Sequence, residues 1–221
     1  MNMLARTLIA GSAILTALLS PSFADSKTSE GSQILNGQVS FANAISTLNT
    51  TVINVGGDVG IQSVAAGNVV DITTMNDTNV ETSQYNNAAQ ITSTLNANVF
   101  NVAGSVGIVN QAVCNSATVS TDPAITSVKN YQECAAQDPT ATANVTANNI
   151  GGSFSLANSA MGNTFQADTN AAYMPIDNKQ INSATTVAST GVNVSNVAGT
   201  ASITSTAIGN NAQIVHYSTA N

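Results

Sequence analysis

The sequence predicts an all-β fold, a parallel β-helix-like solenoid of four repeats of about 47 residues. The first observation is a fixed period, which indicates a repeat architecture: a 12-residue stretch occurs four times, at separations of 47, 48 and 47 residues. The second is that apolar positions within each copy alternate with a period of two, which is typical of a half-buried strand. The third is that Lys, Glu and Leu, all good helix formers, are scarce. The four copies are Gly57–Asn68, Gly104–Asn115, Gly152–Asn163 and Gly199–Asn210.

On one face of the repeated stretch, the side chains become smaller along the sequence. In the first copy it reads Val59, Ile61, Ser63, Ala65 and then a glycine. Because Gly and Asn tolerate positive φ, the closing Gly-Asn step predicts a tight corner where the strand ends. The expected corner glycines are Gly67, Gly162 and Gly209, and the second copy has Cys114 at this position.

The period can be followed outside this stretch, since Ser46–Asn49 recurs as Ser93–Asn96. The units are residues 33–79, 80–126, 127–174 and 175–221. A unit of this length is long for one coil, and a weak echo of Thr74–Asn76 in Thr94–Asn96 suggests a shorter internal spacing. We therefore expect two coils and roughly four short strands in each unit. Four-stranded blades or a β-sandwich are the rival folds. Disorder is disfavoured because Val, Ile and Thr are plentiful and hydrophobic residues reach 43%.

Stacked coils place equivalent residues directly above one another, and stacked Asn side chains stabilise such arrays. Two sets of asparagines keep the period and are expected to form ladders of side-chain amides. The alternative is that each asparagine serves only its own turn. The first set is Asn54, Asn101, Asn149 and Asn196, and the second is Asn68, Asn115, Asn163 and Asn210.

The N-terminal sequence is typical of a targeting segment. Arg6 precedes the apolar run Leu8–Leu19, and small residues follow at Ser22–Ala24. Residues 1–24 are therefore expected to be a secretory signal peptide, with an uncleaved membrane anchor as the alternative. Residues 25–32 are expected to be a flexible lead-in, and residues 33–221 a single β-repeat domain. We expect no transmembrane helix in that domain, since no stretch of it is long and apolar enough.

The charge balance excludes some partners. The formal net charge is −7, and only Lys27, Lys129 and Lys179 are basic after the signal segment. A nucleic-acid binder needs a basic stripe, so nucleic acid is not an expected partner.

Cys114 and Cys134 are the two cysteines of the chain. In an exported protein an even number of cysteines favours a disulfide, so these two are expected to be joined across adjacent coils. Two thiols and one distant histidine, His216, do not fill a metal coordination sphere, so neither a metal nor a cofactor is expected.

Catalysis is not expected either. The acidic residues are out of register between repeats: Asp58 is replaced by Ser105, Ser153 and Thr200 in the other copies. This also removes a repeated calcium-binding turn. A solenoid enzyme that cleaves acidic polysaccharide would need clustered Asp with Arg or Lys, and the lone His216 is interpreted as a surface residue.

The repeated core Val-x-Ile-x-x-x-Ala-x-Gly-Asn, in Asn/Thr/Ala-rich units behind a signal peptide, resembles bacterial surface-adhesion proteins. It is most similar to the holdfast-anchoring protein D family of stalked alphaproteobacteria, which tethers an adhesive polysaccharide to the outer envelope. The resemblance implies a non-catalytic protein at the outer-membrane-associated surface or outside the cell. Its implied partners are surface polysaccharide and other envelope adhesion proteins.

The same stretch, Gly57–Asn68, looks like units of functional-amyloid fibre subunits of biofilms. It departs from the curlin pattern, in which glutamines bracket each unit: Gln38, Gln132 and Gln180 recur, but Tyr85 takes that place in the second unit. Three functions therefore stay open. The first is a surface anchor with a flat polar face, the second is a fibre subunit that associates end to end, and the less favoured third is a carbohydrate-active enzyme on a β-helix.

Overall fold

A computed structural model describes residues 32–122, 125–135, 138–171 and 173–217, and all of their regular structure is β-strand. The proposed signal peptide and all but Ser32 of the lead-in lie outside the described residues. The strands are β1 (Ser32–Ser40), β2 (Ala44–Val55), β3 (Val59–Thr74), β4 (Thr78–Asn86), β5 (Ile91–Val102), β6 (Val106–Thr121), β7 (Thr126–Cys134), β8 (Thr140–Ile150), β9 (Phe154–Thr169), β10 (Ile176–Asn182), β11 (Val187–Val197) and β12 (Ala201–His216). In the described ranges there is no helix of the length and hydropathy that a bilayer crossing requires.

The strands form three parallel sheets, which confirms the all-β solenoid. Sheet A has the order β1-β4-β7-β10, sheet B the order β2-β5-β8-β11, and sheet C the order β3-β6-β9-β12. The chain visits A, B and C in turn and then begins again one layer further on. We call β1–β3 coil 1, β4–β6 coil 2, β7–β9 coil 3 and β10–β12 coil 4.

The expectation of two coils in each repeat is wrong. Leu48 pairs with Leu95, one full repeat away, so each repeat is one coil and the described solenoid has four coils. The physical reason is strand length. Each coil has three strands rather than four, and the strands of sheet C span 16 residues, so three of them and their turns use up the period.

The core lies inside the coils in three clusters. Sheets B and C enclose the largest, which includes Leu95, Ile108 and Phe154. Sheets A and C enclose another around Phe165. Between them, at the junction of the three sheets, lies a cluster of small residues with Ile91. Each strand of sheet C therefore packs against B with its first half and against A with its second half.

This change of partner requires a shift in the side-chain alternation. In β6 the inward positions are 106, 108, 110 and 112 before the shift, and 115, 117, 119 and 121 after it. The residue at the shift, Cys114, has no backbone register partner in either neighbouring strand. Gly67 and Gly162 lack a partner at the same level, so all strands of sheet C shift and bend together and their columns stay in register.

The predicted corner glycines, Gly67, Gly162 and Gly209, lie at this bend, and the expectation that the strand ends there is wrong. None of them has a left-handed φ. At Gly67 the cause is space, because an added Cβ would lie 1.7 Å from Asn86 Nδ2 and 2.6 Å from the Cys114 carbonyl oxygen.

The left-handed corner falls elsewhere, one residue before the end of each sheet B strand. Asn54, Asn101, Asn149 and Asn196 have φ values of 58°, 56°, 56° and 53°. Asparagine enters this region more readily than other residues with a side chain. The turn that follows has three residues in every coil, whereas the number of residues between a sheet A strand and the next sheet B strand varies from three to five.

Candidate functional site: amide ladders and a charge-free face

The ladder of Asn68, Asn115, Asn163 and Asn210 runs through the inside of the solenoid. Side-chain amide hydrogen bonds of 2.9, 2.8 and 2.8 Å join its successive rungs. Asn115 is fully buried, and its Nδ2 also donates to the Glu133 carbonyl at 2.9 Å. The ladder therefore joins neighbouring strands of sheet C to one another and also joins sheet C to the backbone of sheet A.

The other asparagine ladder, Asn54, Asn101, Asn149 and Asn196, runs along the outside at the left-handed corner. Its three amide hydrogen bonds measure 2.9, 2.9 and 3.1 Å. Here one residue type satisfies two demands, because asparagine both accepts the left-handed φ and supplies a rung.

A third ladder, made of glutamines, was not predicted from the sequence. Gln38, Gln84, Gln132 and Gln180 are joined by hydrogen bonds of 2.7, 2.7 and 2.8 Å. The interpretation that Tyr85 takes the glutamine place in the second unit is wrong, because Tyr85 pairs with Val39 and Glu133. The signal was present as a spacing of 46 residues between Gln38 and Gln84. It was obscured because the turns beside sheet A vary in length.

Cys114 and Cys134 form a disulfide with a Cα–Cα distance of 5.9 Å. Cys114 lies at the bend of β6 in coil 2, and Cys134 ends β7 in coil 3. The bond thus joins two coils and two sheets. At the equivalent place between coils 1 and 2 stand Gly67 and Asn86, and between coils 3 and 4 stand Gly162 and Asn182.

The outer face of sheet B differs from the rest of the surface because its four strands contain no ionisable residue. By contrast, one outward column of sheet A reads Leu35, Glu81, Lys129 and Asp177. The central outward residues of sheet B form a polar array that we call the amide face. Its members are Thr47, Asn49, Thr51, Thr94, Asn96, Asn98, Thr142, Asn144, Thr146, Ser189, Gly191 and Asn193.

A fourth amide ladder crosses this face and stops short. Asn96 donates to Asn49 at 2.7 Å, and Asn144 donates to Asn96 at 3.0 Å. The next position is Gly191, which has no side chain to continue the ladder. A shallow cavity of about 380 Å³ lies there, lined by Asn96, Ala97, Asn98, Asn144, Val145, Thr146, Gly191, Val192 and Asn193.

Three ionisable residues of sheet A, Tyr131, Glu133 and Lys179, lie close together. Tyr131 donates its hydroxyl hydrogen bond to the Glu133 carboxylate, and this contact raises the pKa of Tyr131 above its ordinary value of 10.0. Lys179 Nζ lies 5.4 Å from the centre of the Tyr131 ring.

The single histidine, His216, ends β12 of sheet C. Its Nε2 lies 2.6 Å from the Ala171 carbonyl oxygen. Among the described residues, His, Cys, Asp and Glu nowhere gather in a group of three that would suit a metal ion.

These features define a structural repeat protein, a β-solenoid with amide ladders along its axis and an extended outer face without charge. The chain belongs to the holdfast attachment protein D family, whose model matches residues 24–185. It is therefore a holdfast-related surface adhesion protein. Among curated proteins and solved structures, no significant match was found.

Proposed function

We propose that this protein is a non-catalytic, exported anchor that holds an adhesive polysaccharide at the outer envelope. The observation that carries the proposal is the charge-free amide face. Amide and hydroxyl groups both donate and accept hydrogen bonds, so an array of them complements the hydroxyl groups of a polysaccharide. Family membership supports the same reading.

The solenoid suits this task because its binding groups sit on a rigid sheet. Along a strand, residues of one face recur about every 6.6 Å, and between coils the spacing is about 4.8 Å. The backbone hydrogen bonds and ladders hold both spacings constant. A long polymer can therefore contact the face at many points, each of them weak.

Charge placed on the amide face tests the proposal. In cells that lack the wild-type gene, we would express the isosteric variant Asn98→Asp/Asn193→Asp, whose two sites are exposed and lie two coils apart. We expect these cells to shed adhesive polysaccharide into the medium, as measured with a polysaccharide stain. The matched control is Gln62→Glu/Gln213→Glu on the outer face of sheet C. Equal retention by both variants would refute the role of the amide face.

Export and surface location are further parts of the proposal. We expect the mature chain in the outer-membrane fraction or outside the cell. Immunoblots of fractionated cells would measure this, and a chain found only in the cytoplasm would contradict it. Purified protein incubated with the polysaccharide should release no new reducing ends. Release of reducing ends would favour the carbohydrate-active enzyme.

A fibre subunit is the second candidate, because within the described residues each end of the solenoid presents a strand of every sheet with a neighbour on one side only. β1, β2 and β3 lie at one edge of their sheets, and β10, β11 and β12 lie at the other. Exposed edges of this kind accept additional strands. In this reading coil 4 of one copy would pair with coil 1 of the next. Electron microscopy and thioflavin fluorescence over days would test it, and the absence of fibres would count against it.

A further inference from the structure

The end of the exposed asparagine ladder is the feature that extends the proposed function. Asn49, Asn96 and Asn144 stack through coils 1 to 3, and coil 4 has Gly191 in their register. A Cβ built at Gly191 would lie 3.0 Å from Asn144 Oδ1, its nearest neighbour. The acceptor oxygen of the last rung therefore points towards the place where the next side chain is missing.

Neutral polar groups surround this gap. The neighbouring column on one side of it consists of Asn98, Thr146 and Asn193, of which Asn98 and Asn193 are exposed. Amide and hydroxyl groups both donate and accept hydrogen bonds, so they can hold the polar edges of a sugar ring.

The charge distribution selects the type of glycan. The two lysines in the described part of the chain, Lys129 and Lys179, both belong to sheet A. An acidic sugar at Gly191 would meet no cation of sheet B, on a chain whose net charge is −7. A neutral sugar avoids this electrostatic cost, since uncharged donors and acceptors satisfy its hydroxyl groups.

We propose that the cavity at Gly191 is a subsite for one ring of a neutral glycan, whose chain continues over the amide ladder of Asn144, Asn96 and Asn49. This assignment rests on the proposed function and adds to it a location and a ligand class. Gly191 provides the recess, because asparagine at the same position in the other three coils keeps the surface level.

The substitution Gly191→Asn separates binding from folding. The new amide nitrogen would complete the ladder by donating to Asn144 Oδ1, which belongs to an exposed side chain and must move by a few tenths of an ångström to admit the Cβ. The variant should therefore be at least as stable as the wild type. It would also fill the recess. We expect thermal unfolding at an equal or higher temperature, together with at least tenfold weaker glycan binding. Gly37→Asn is the matched control, since Gly37 faces outward on sheet A with nothing within 4 Å of an added Cβ.

Calorimetric titrations would use three neutral probes, cellohexaose, mannohexaose and chitohexaose, and one acidic probe, hexagalacturonate. The wild type and Gly37→Asn should bind at least one neutral probe more tightly than the acidic one. Gly191→Asn should lose that binding. Wild-type protein that binds none of the neutral probes, or prefers the acidic one, would overturn the assignment. So would a Gly191→Asn variant with unchanged affinity.

A second measurement distinguishes this assignment from the proposed function. Adhesive polysaccharide purified from cells would be immobilised and presented with wild-type protein and with Gly191→Asn. If both are retained equally, the subsite is wrong and the anchoring function stands. If the wild type is not retained, the anchoring function itself fails. Retention of the wild type alone supports both.

Discussion

The middle and terminal coils carry similar apolar residues in the columns of the core but place them in different surroundings. Leu95 of coil 2 is fully buried, whereas its partner Leu48 in coil 1 is only partly buried. Ile108 of coil 2 is 1% exposed, while Ile203 of coil 4 is 47% exposed. In a solenoid, burial thus depends on having a coil on both sides, and the side chain alone does not determine it.

The junctions between coils differ in a parallel way. Coils 2 and 3 are joined by the disulfide, whereas the two outer junctions have a glycine facing an asparagine. The covalent link therefore lies at the centre of the stack. We expect the middle of the molecule to resist unfolding while the terminal coils open first, since local stability follows buried contacts.

The largest expected effect comes from truncating equivalent leucines. Leu95→Ala should lower the free energy of unfolding by about 2–5 kcal/mol, the range for a buried leucine. Leu48→Ala should cost less than half as much, because coil 1 leaves that side chain partly in water. Urea unfolding followed by circular dichroism would measure both. Equal costs would mean that another copy or a partner covers coil 1.

The next effect concerns the central junction. Reducing the disulfide, which closes a loop of 20 residues, should destabilise the protein by about 3 kcal/mol. The variant Cys114→Gly/Cys134→Asn copies the outer junctions and serves as the control. Its urea midpoint should lie below that of the oxidised wild type and should not change with reductant. A wild-type midpoint that is insensitive to reductant would contradict the prediction.

A smaller effect is expected in the outer asparagine ladder. Asn101→Ala removes a rung with hydrogen bonds on both sides and also strains a left-handed backbone. The expected cost is about 1–3 kcal/mol. Asn101→Gly keeps the φ and loses only the rung, so it should cost less. Asn196→Ala loses one hydrogen bond instead of two. Thermal unfolding should rank the three variants, and a Gly variant as unstable as the Ala variant would show that φ is unimportant.

The smallest effect is expected at the surface of sheet A. Tyr131→Phe should change stability by less than about 0.5 kcal/mol at pH 7, as for most surface substitutions. Because the pKa of Tyr131 is raised in the folded state, its contribution is complete below pH 10 and disappears as pH rises through the folded pKa. Urea midpoints of wild type and variant should therefore converge at high pH. A gap that widens there would contradict the assigned hydrogen bond.

Much of this architecture follows from periodicity, because stacking forces equivalent residues into columns. The columns of Asn68 and Leu48 are visible as soon as the repeats are aligned. The number of coils is not, since a repeat length does not reveal how many strands share it. That number follows from the packing of sheet C against both B and A, because this packing requires strands of 16 residues.

The site was less predictable than the fold. The sequence does not show that Asn54 occupies a left-handed corner and Gly67 a crowded bend. The first depends on a backbone angle, and the second depends on the space that Asn86 and Cys114 leave. The recess at Gly191 is one departure from a column of asparagines, and an alignment shows the change without showing which face it lies on. The Gln84 rung was not evident from the repeat because it follows Gln38 by 46 residues, one fewer than the period of 47.

The correspondence of one repeat to one coil has a genetic consequence. Recombination between neighbouring repeats adds or removes a whole layer and leaves every column in register. The differing turn lengths beside sheet A show that small insertions are absorbed there, whereas the turn after sheet B keeps three residues in every coil. A lineage can thus lengthen or shorten this molecule in steps of about 4.8 Å, the spacing between neighbouring strands. Each step changes the length of the amide face without any new fold being needed.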